Sequence, residues 1–200
     1  MHGGARAEKQ RIRQETRMIS ERLTPEYRHE ASRAITRQVL TLPFWDQAKT
    51  IMAYWSMPEE PDTRELMETA LREGKTLLLP RCLDAGRMVA LPVRDLTDLK
   101  SGSLGIPEPE AEKAGEKIPE PDLILVPCMT AVMNGVRLGH GAGYYDRFLS
   151  THPMPCVCLC FHKLLRDDLP AGPLDQRMDA VVTEEGWFAS SAGQESVPGL

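Results

Sequence analysis

The stretch Asn134–Arg147 reads NGVRLGHGAGYYDR, with four glycines placed on both sides of Arg137 and ahead of the final YYDR. Glycine loses more backbone freedom on folding than any other residue, so dense glycines are expected where the chain turns tightly or approaches a ligand. Arg137 supplies a fixed cation, and Asp146 supplies a hard oxygen ligand, as a metal-bound phosphate requires. The stretch therefore predicts a nucleotide-phosphate site.

Short apolar segments alternate with helical patterns on both sides of this stretch. Helices are predicted at Ala5–Leu23, from the N-cap Thr24 to a stop before Pro43, from a capping box of Asp62 and Glu65 to Gly74, and at Tyr144–Leu149. Strands are predicted at Thr50–Ser56, Thr76–Leu79 (ended by Pro80), Arg87–Leu91, Leu123–Val126, Cys156–Phe161 and Ala180–Thr183. This alternation predicts an α/β single-domain three-layer sandwich, with a largely parallel sheet and helices on both faces. Ligands of such sheets bind beyond the carboxyl ends of strands, where the glycine stretch follows Val126.

Length, net charge and the length of the apolar runs indicate what class of protein this is. The 200 residues predict one domain, 1–200, with flexible termini at about 1–8 and 190–200. The net charge of -5 argues against a general nucleic-acid or membrane binder. No apolar run approaches the roughly 20 residues that span a bilayer, and the first residues lack the apolar core of a signal peptide. We expect a cytoplasmic monomer that binds neither nucleic acid nor membranes.

The five cysteines point to a reducing compartment, because an odd number excludes complete disulfide pairing. Cys156, Cys158 and Cys160 alternate with apolar residues, which predicts a strand with the three thiols on one face. A metal site is one interpretation, but structural zinc sites favour two Cys-x-x-Cys pairs, and the chain has neither. Buried structural thiols are the favoured interpretation.

Two familiar phosphate-binding motifs do not fit the glycine stretch. A Walker P-loop requires Lys-Ser or Lys-Thr after the glycines, and no such pair follows here. A Rossmann fingerprint places its glycines directly after a strand, whereas the dense glycines here begin at Gly139, well past Val126. Taken alone, Gly139–Gly143 also fits a glycine-rich surface turn.

The whole stretch is more specific than its glycines. From Gly135 to Arg147 it resembles the hallmark of the 5-formyltetrahydrofolate cyclo-ligases, also called methenyltetrahydrofolate synthetases. Further segments resemble the family in the same order and extend the likeness over about Lys9–Thr183: Lys9 with Arg13, Tyr54–Thr63, Gly74 with Lys75, Gly105–Pro109, and Asp175 with Asp179. Two positions depart from the pattern: Ala142 stands where many members have glycine or lysine, and His140 fills a position that varies.

The resemblance implies an enzyme that uses Mg-ATP to convert 5-formyltetrahydrofolate into 5,10-methenyltetrahydrofolate, with release of ADP and phosphate. It implies catalytic roles for Arg137, Tyr145 and Asp146, and magnesium ligation by Asp146 and Asp175. ATP would be bound by Lys9, Arg13, Arg137, Leu138, Gly139, His140, Gly141, Ala142, Gly143, Tyr144 and Tyr145. The folate would be bound by Trp55, Met57, Glu60, His140, Gly141, Ala142, Gly143 and Tyr144.

Two other classes of protein remain open on the sequence. One is a nicotinamide-dependent or sugar-phosphate enzyme on a similar sheet, because a fold does not determine a function. The misplaced glycines and the missing ribose-binding acid weigh against a dinucleotide enzyme. The other is a non-catalytic module that binds folate or nucleotide. Retention of Arg137, Asp146 and Glu60 weighs against this alternative, since a pure binder does not need a metal site.

Overall fold

The computed structural model describes residues 3–84, 86–102, 105–110 and 118–190. Its α-helices are α1 Gly3–Ser20, α2 Pro25–Leu40, α3 Pro43–Gln47, α4 Arg64–Arg72 and α5 Tyr144–Leu149. Its strands are β1 Thr50–Met52, β2 Thr76–Asp84, β3 Arg87–Val93, β4 Lys100–Ser101, β5 Pro107–Glu108, β6 Leu123–Pro127, β7 Thr130–Ala131, β8 Arg137–Leu138, β9 Cys156–Leu159, β10 Ala180–Thr183 and β11 Gly186–Ala189. Two 3₁₀ turns cover Leu96–Asp98 and His162–Leu164.

A seven-stranded sheet in the order β11-β10-β9-β6-β1-β2-β3 forms the centre of the molecule. Its five inner strands, from β10 to β2, are parallel, and the edge strands β3 and β11 are antiparallel to their neighbours. The inner strands β1, β9 and β10 are buried along their whole length, and β6 is buried from Leu123 to Val126, as expected for a parallel sheet covered on both faces. The predicted α/β fold with a largely parallel sheet is confirmed.

The chain order creates a crevice between β1 and β6. The crossover through α4 leads from β1 to β2, and the crossover through α5 leads from β6 to β9, in the opposite direction along the sheet. Because such crossovers are right-handed, the two helices lie on opposite faces. The loops after β1 and β6 diverge at this reversal, which is where open parallel sheets bind ligands.

Local sequence signals explain where the helices begin and end. Thr24 caps α2, because its side-chain oxygen accepts a hydrogen bond from the N–H of Tyr27 at 3.2 Å. Gly74 ends α4 in the left-handed conformation at φ +73°. The predicted capping box is wrong: Asp62 accepts from the N–H of Arg64, while its own N–H donates to Ser32 and not to Glu65.

Five strands differ in length from the prediction: β3 and β6 end later, at Val93 and Pro127, β9 ends earlier, at Leu159, and the largest differences are in β1 and β2. β1 stops at Met52 instead of Ser56, because the carbonyl of Tyr54 turns away to accept a hydrogen bond from the Thr63 hydroxyl. β2 continues through Pro80 to Asp84. Pro80 is tolerated because β1 pairs with β2 only as far as Leu78, so the missing N–H breaks no bond on that side.

Five short strands of the described residues, and the short helix α3, were not predicted from the sequence. The edge strand β11 folds back on β10, and the pairs β4–β5 and β7–β8 form small two-stranded ribbons outside the main sheet. Two-residue strands carry too little hydrophobic periodicity to be recognised. The β7–β8 ribbon matters most for function, because it carries Arg137 out of the sheet toward the glycines.

The three alternating cysteines are buried in and beside β9, as predicted for buried structural thiols. Burial raises the pKa of Cys156 to about 12, so this thiol stays protonated and unreactive near neutral pH. Cys160 follows the strand and still donates its N–H to the carbonyl of Val182.

The chain ends are only partly described. α1 already begins at Gly3, and Ser190 is buried and bonded to the carbonyl of Asp179. Of the predicted flexible ends, about 1–8 and 190–200, residues 1–2 and 191–200 lie outside the described residues. Among the helices of the described ranges, none is both long enough and apolar enough to cross a membrane.

Candidate active site

A cleft opens where the chain leaves β1. It has a volume of about 780 Å³ and lies between α2, the segment that follows β1, and the turn before β5. Trp55, Met57 and Glu60 all line it. Trp55 packs one side against the core and leaves the rest available to a ligand. Three of the eight residues that the resemblance assigns to the folate therefore lie together in one cavity, and the other five, His140–Tyr144, do not line it.

Glu60 is held rigidly at the inner end of this cleft. Its side chain is 4% exposed, and its Oε2 accepts the N–H of Met57 at 2.9 Å. The N–H of Glu60 donates in turn to the Met57 carbonyl at 3.0 Å, which closes a tight turn. Oε1 lies 3.3 Å from Nε2 of His140 in the glycine segment. A buried carboxylate with these few partners can accept further N–H groups from a ligand.

The β7–β8 ribbon positions Arg137. Gly135 lies at the ribbon turn with φ +90°, and a Cβ there would collide with the carbonyl oxygen of Met178. The Met178 N–H donates to the Gly135 carbonyl at 2.9 Å, so the turn is fixed to the segment before β10. Only glycine satisfies both the backbone angle and the close approach.

Arg137 and Asp146 form a pair at the start of α5. Arg137 is 8% exposed, and its Nη1 donates to Oδ1 of Asp146 and to the carbonyl of Gln176, each at 3.0 Å. The N–H of Gln176 also donates to Oδ1 of Asp146 at 3.0 Å. A buried cation with a fixed partner is a rigid source of positive charge for a bound anion.

The side chain of Arg13, from α1, lies against the backbone of the segment Gly139–Gly143. Nε of Arg13 donates to the Gly139 carbonyl at 2.8 Å. Gly141 has φ +106°, and a Cβ there would lie 3.1 Å from Cζ of Arg13. Burial lowers the pKa of Arg13 and Asp175 partly offsets this, but a guanidinium remains charged at any physiological pH. The glycines therefore let a cation lie flat against the loop.

Lys9 lies one helical turn before Arg13 and forms an ion pair with Asp175. Asp175 also accepts the N–H of Gly172 at 2.6 Å. Partial burial opposes ionisation of Asp175, but the bonds from Lys9 and Gly172 outweigh it and hold the pKa of this carboxyl below its usual value. Both predicted cations of α1 thus face the loop region, as their spacing of four residues requires.

The two acids that the resemblance assigns to magnesium each keep one carboxylate oxygen without a hydrogen bond among the described residues. Oδ2 of Asp146 and Oδ1 of Asp175 accept no hydrogen bond from any residue that the structure describes. Across the described ranges, no group of three or more His, Cys, Asp or Glu side chains is placed to hold a metal. Magnesium needs fewer protein ligands, since it binds one or two carboxylates and completes its shell with waters and phosphate oxygens.

Tyr145, and not Tyr144, offers its hydroxyl to the interior of the site. The Tyr145 hydroxyl is buried with no hydrogen-bond partner among the described residues. Burial raises the pKa of this phenol well above its usual value, and the charge of Glu60 adds to the rise while Arg137 opposes it. Tyr144 instead lies beside Arg147, whose Cζ is 5.9 Å from the ring centroid. An orphaned hydroxyl costs about 1–3 kcal/mol, which a ligand can recover.

Two contributors to the site were missed on the sequence. The backbone of Gln176 bonds both members of the Arg137–Asp146 pair, and a backbone contact leaves no signal in residue type. Arg147 holds two carbonyls beside the glycines, those of Gly86 and Ala142. Its place at the end of the YYDR motif was a signal, but no role was assigned to it.

Comparison with known proteins gives a consistent result. The sequence model of the 5-formyltetrahydrofolate cyclo-ligase family matches residues 5–184. The chain is 32% identical over 169 residues to a probable 5-formyltetrahydrofolate cyclo-ligase of Schizosaccharomyces pombe, across 76% of this chain and 83% of that one. It is 31% identical over 171 residues to the 5-formyltetrahydrofolate cyclo-ligase of Escherichia coli K12, across 80% and 92%.

Solved structures agree with the sequence comparisons. The 5,10-methenyltetrahydrofolate synthetase of Aquifex aeolicus superposes with a TM-score of 0.80 at 28% identity, over 92% of this chain and 93% of that one. The corresponding protein of Mycoplasma pneumoniae gives a TM-score of 0.69 over 88% and 98% of the two chains. Its 18% identity supports the fold alone.

Proposed function

Since the chain belongs to the 5-formyltetrahydrofolate cyclo-ligase family and is an enzyme of that class, we propose that it couples ATP to ring closure. Its substrate is 5-formyltetrahydrofolate and its products are 5,10-methenyltetrahydrofolate, ADP and phosphate. The formyl group is an amide, so its carbon is a poor electrophile until its oxygen becomes a leaving group.

The proposed reaction has two steps. The formyl oxygen first attacks the terminal phosphorus of ATP, and ADP departs. The neighbouring anilino nitrogen then bonds to the formyl carbon and loses its proton, while phosphate leaves with the former formyl oxygen. Such phosphoryl transfer requires mainly positioning and charge neutralisation from the protein, which explains why the site contains cations and backbone donors but needs no nucleophile.

One observation carries the proposal: the cleft and the glycine loop are joined by direct contacts. Glu60 in the cleft contacts His140 in the loop, and Arg13 lies on Gly139 of the same loop. Arg137 lies in β8, directly before this loop, and pairs with Asp146. A folate in the cleft and a phosphate on the loop would therefore meet, as the reaction requires.

On the folate side, we assign Glu60 to the amino edge of the pterin and Trp55 to its ring. A buried carboxylate suits paired N–H donors, and an indole suits a flat heterocycle. Met57 lines the same cleft and fixes Glu60 through its N–H. Tyr145, which stays protonated, would donate its hydroxyl to a ligand oxygen between the two halves.

On the phosphate side, Lys9, Arg13 and Arg137 would supply positive charge. Residues Gly139–Gly143 would supply backbone N–H groups at close range. Asp146 and Asp175 would hold Mg²⁺, which would neutralise the phosphates when it is bound. All these residues come from one chain, so a monomer suffices for the proposed activity.

The metal assignment is tested by the variant Asp146→Asn. Asparagine keeps Oδ1 for Arg137 and Gln176 but removes the charge opposite a buried guanidinium, so we expect the free energy of unfolding to fall by about 1–3 kcal/mol with the fold retained. Loss of the carboxylate charge should lower kcat/KM by about 100-fold or more and raise the magnesium concentration needed for half-maximal rate.

Production of methenyltetrahydrofolate at varied magnesium concentration measures both effects. Asp98→Asn, in the 3₁₀ turn before β4, is the matched control and should behave as wild type. Full activity of Asp146→Asn at limiting magnesium would remove Asp146 from the metal site.

A further inference from the structure

Arg147 lies at the opposite end of the glycine loop from Arg13. Its Nε donates to the Gly86 carbonyl at 2.7 Å, and its Nη2 donates to the Ala142 carbonyl. A Cβ at Gly143 would lie 3.0 Å from its Nη1. A guanidinium thus rests on the loop at each end, against Gly141 for Arg13 and against Gly143 for Arg147.

Much of the guanidinium of Arg147 is left without a partner. The side chain has five N–H groups, and its hydrogen bonds to the described residues use one on Nε and one on Nη2. Within the described ranges, Nη1 donates to no protein oxygen and no carboxylate pairs with this cation. The residue is exposed beside a loop whose own side chain at Ala142 carries no charge.

We propose that Arg147 is a second phosphate-binding cation of this loop, working with Arg13 on the nucleoside triphosphate. The bonds to Gly86 and Ala142 hold the guanidinium in place, and Nη1 remains to bind a phosphate oxygen. The inference deepens the proposed function and rests on it for the location of the phosphates. It also explains Gly86, where a Cβ would collide with Nη2 of Arg147.

The test is the affinity for Mg-ATP without folate, measured by calorimetry, so that no turnover occurs. Arg147→Gln should weaken binding by about 10- to 100-fold, the usual effect of losing a charged hydrogen bond. The dependence of affinity on salt should also become shallower, because one fewer cation meets the phosphates. The affinity for 5-formyltetrahydrofolate, measured by calorimetry without ATP, should stay within about twofold of wild type. Arg81→Gln is the matched control, since Arg81 also donates to a distant carbonyl, that of Pro109, which does not belong to the loop.

Two further variants separate phosphate binding from a purely structural tether. Ala142→Lys, added to Arg147→Gln, returns a charge to the loop without restoring the bond to Gly86, and should recover at least about tenfold in Mg-ATP affinity. Arg147→Lys keeps the charge and should bind Mg-ATP better than Arg147→Gln does.

The inference is overturned if Arg147→Gln binds Mg-ATP within about twofold of wild type. It is also overturned if Ala142→Lys recovers nothing and the Lys and Gln variants are equally impaired, because that pattern indicates a tether only. A wild-type protein that binds Mg-ATP but forms no methenyltetrahydrofolate would refute the proposed reaction and leave this binding test valid.

Discussion

Glu60 is the residue at which the two halves of the proposed site meet. Its buried carboxylate is oriented by Met57 on one oxygen and faces His140 of the glycine loop with the other. A pterin that binds this carboxylate would therefore either displace His140 from Oε1 of Glu60 or share that oxygen with it. Folate bound in the cleft would therefore directly affect a contact of the loop that we assign to ATP.

Glu60→Gln tests this assignment. The amide keeps the shape and one acceptor but loses the charge, so the folate KM should rise by about 10- to 100-fold while the KM for ATP changes little. Steady-state kinetics with each substrate varied in turn measures the difference. Glu65→Gln, on the exposed rim of the same cleft, should leave both constants near wild type. A folate KM within about twofold of wild type would remove Glu60 from the pocket.

The β7–β8 ribbon is the element that positions both Arg137 and the glycine segment of the proposed site. It takes the chain beyond the end of β6, places Arg137 beside Asp146, and releases the backbone into Gly139–Gly143. The ribbon depends on Gly135, whose turn is bonded to Met178 ahead of β10. Correct placement of Arg137 therefore relies on a contact between segments far apart in the sequence.

Gly135→Ala should destabilise the protein through this element. Left-handed strain and the collision with the Met178 carbonyl together should cost at least about 3 kcal/mol. Gly74→Ala is the matched control: its φ is also left-handed, at +73°, but open space surrounds it, so about 1 kcal/mol is expected. Urea unfolding of both variants gives the comparison, and equal losses would show that the Met178 contact does not constrain the ribbon.

At the scale of the whole molecule, the fold class was predictable from the sequence, whereas the strand order and the contacts within the site were not. Alternating apolar segments predicted the parallel sheet, and Thr24 and Gly74 predicted two helix ends, because these signals are local. The course of β2 through Pro80 depended on where its neighbour stops, which no local pattern encodes.

The same division holds for the candidate site. Residue types identified Arg137, Asp146 and Glu60 through the resemblance to a family. The partners that orient them, such as the backbone of Gln176 and the tether from Arg147 to Gly86, are made by segments distant in sequence. They became visible only when the fold brought those segments together.

The most direct test of the central claim is optical. Methenyltetrahydrofolate absorbs in the near ultraviolet, where 5-formyltetrahydrofolate does not, so its band reports ring closure. Purified protein with 5-formyltetrahydrofolate and magnesium should produce this band when ATP is present and not when it is omitted. An equal rate without ATP, or no band from folded protein that has ATP, would contradict the account.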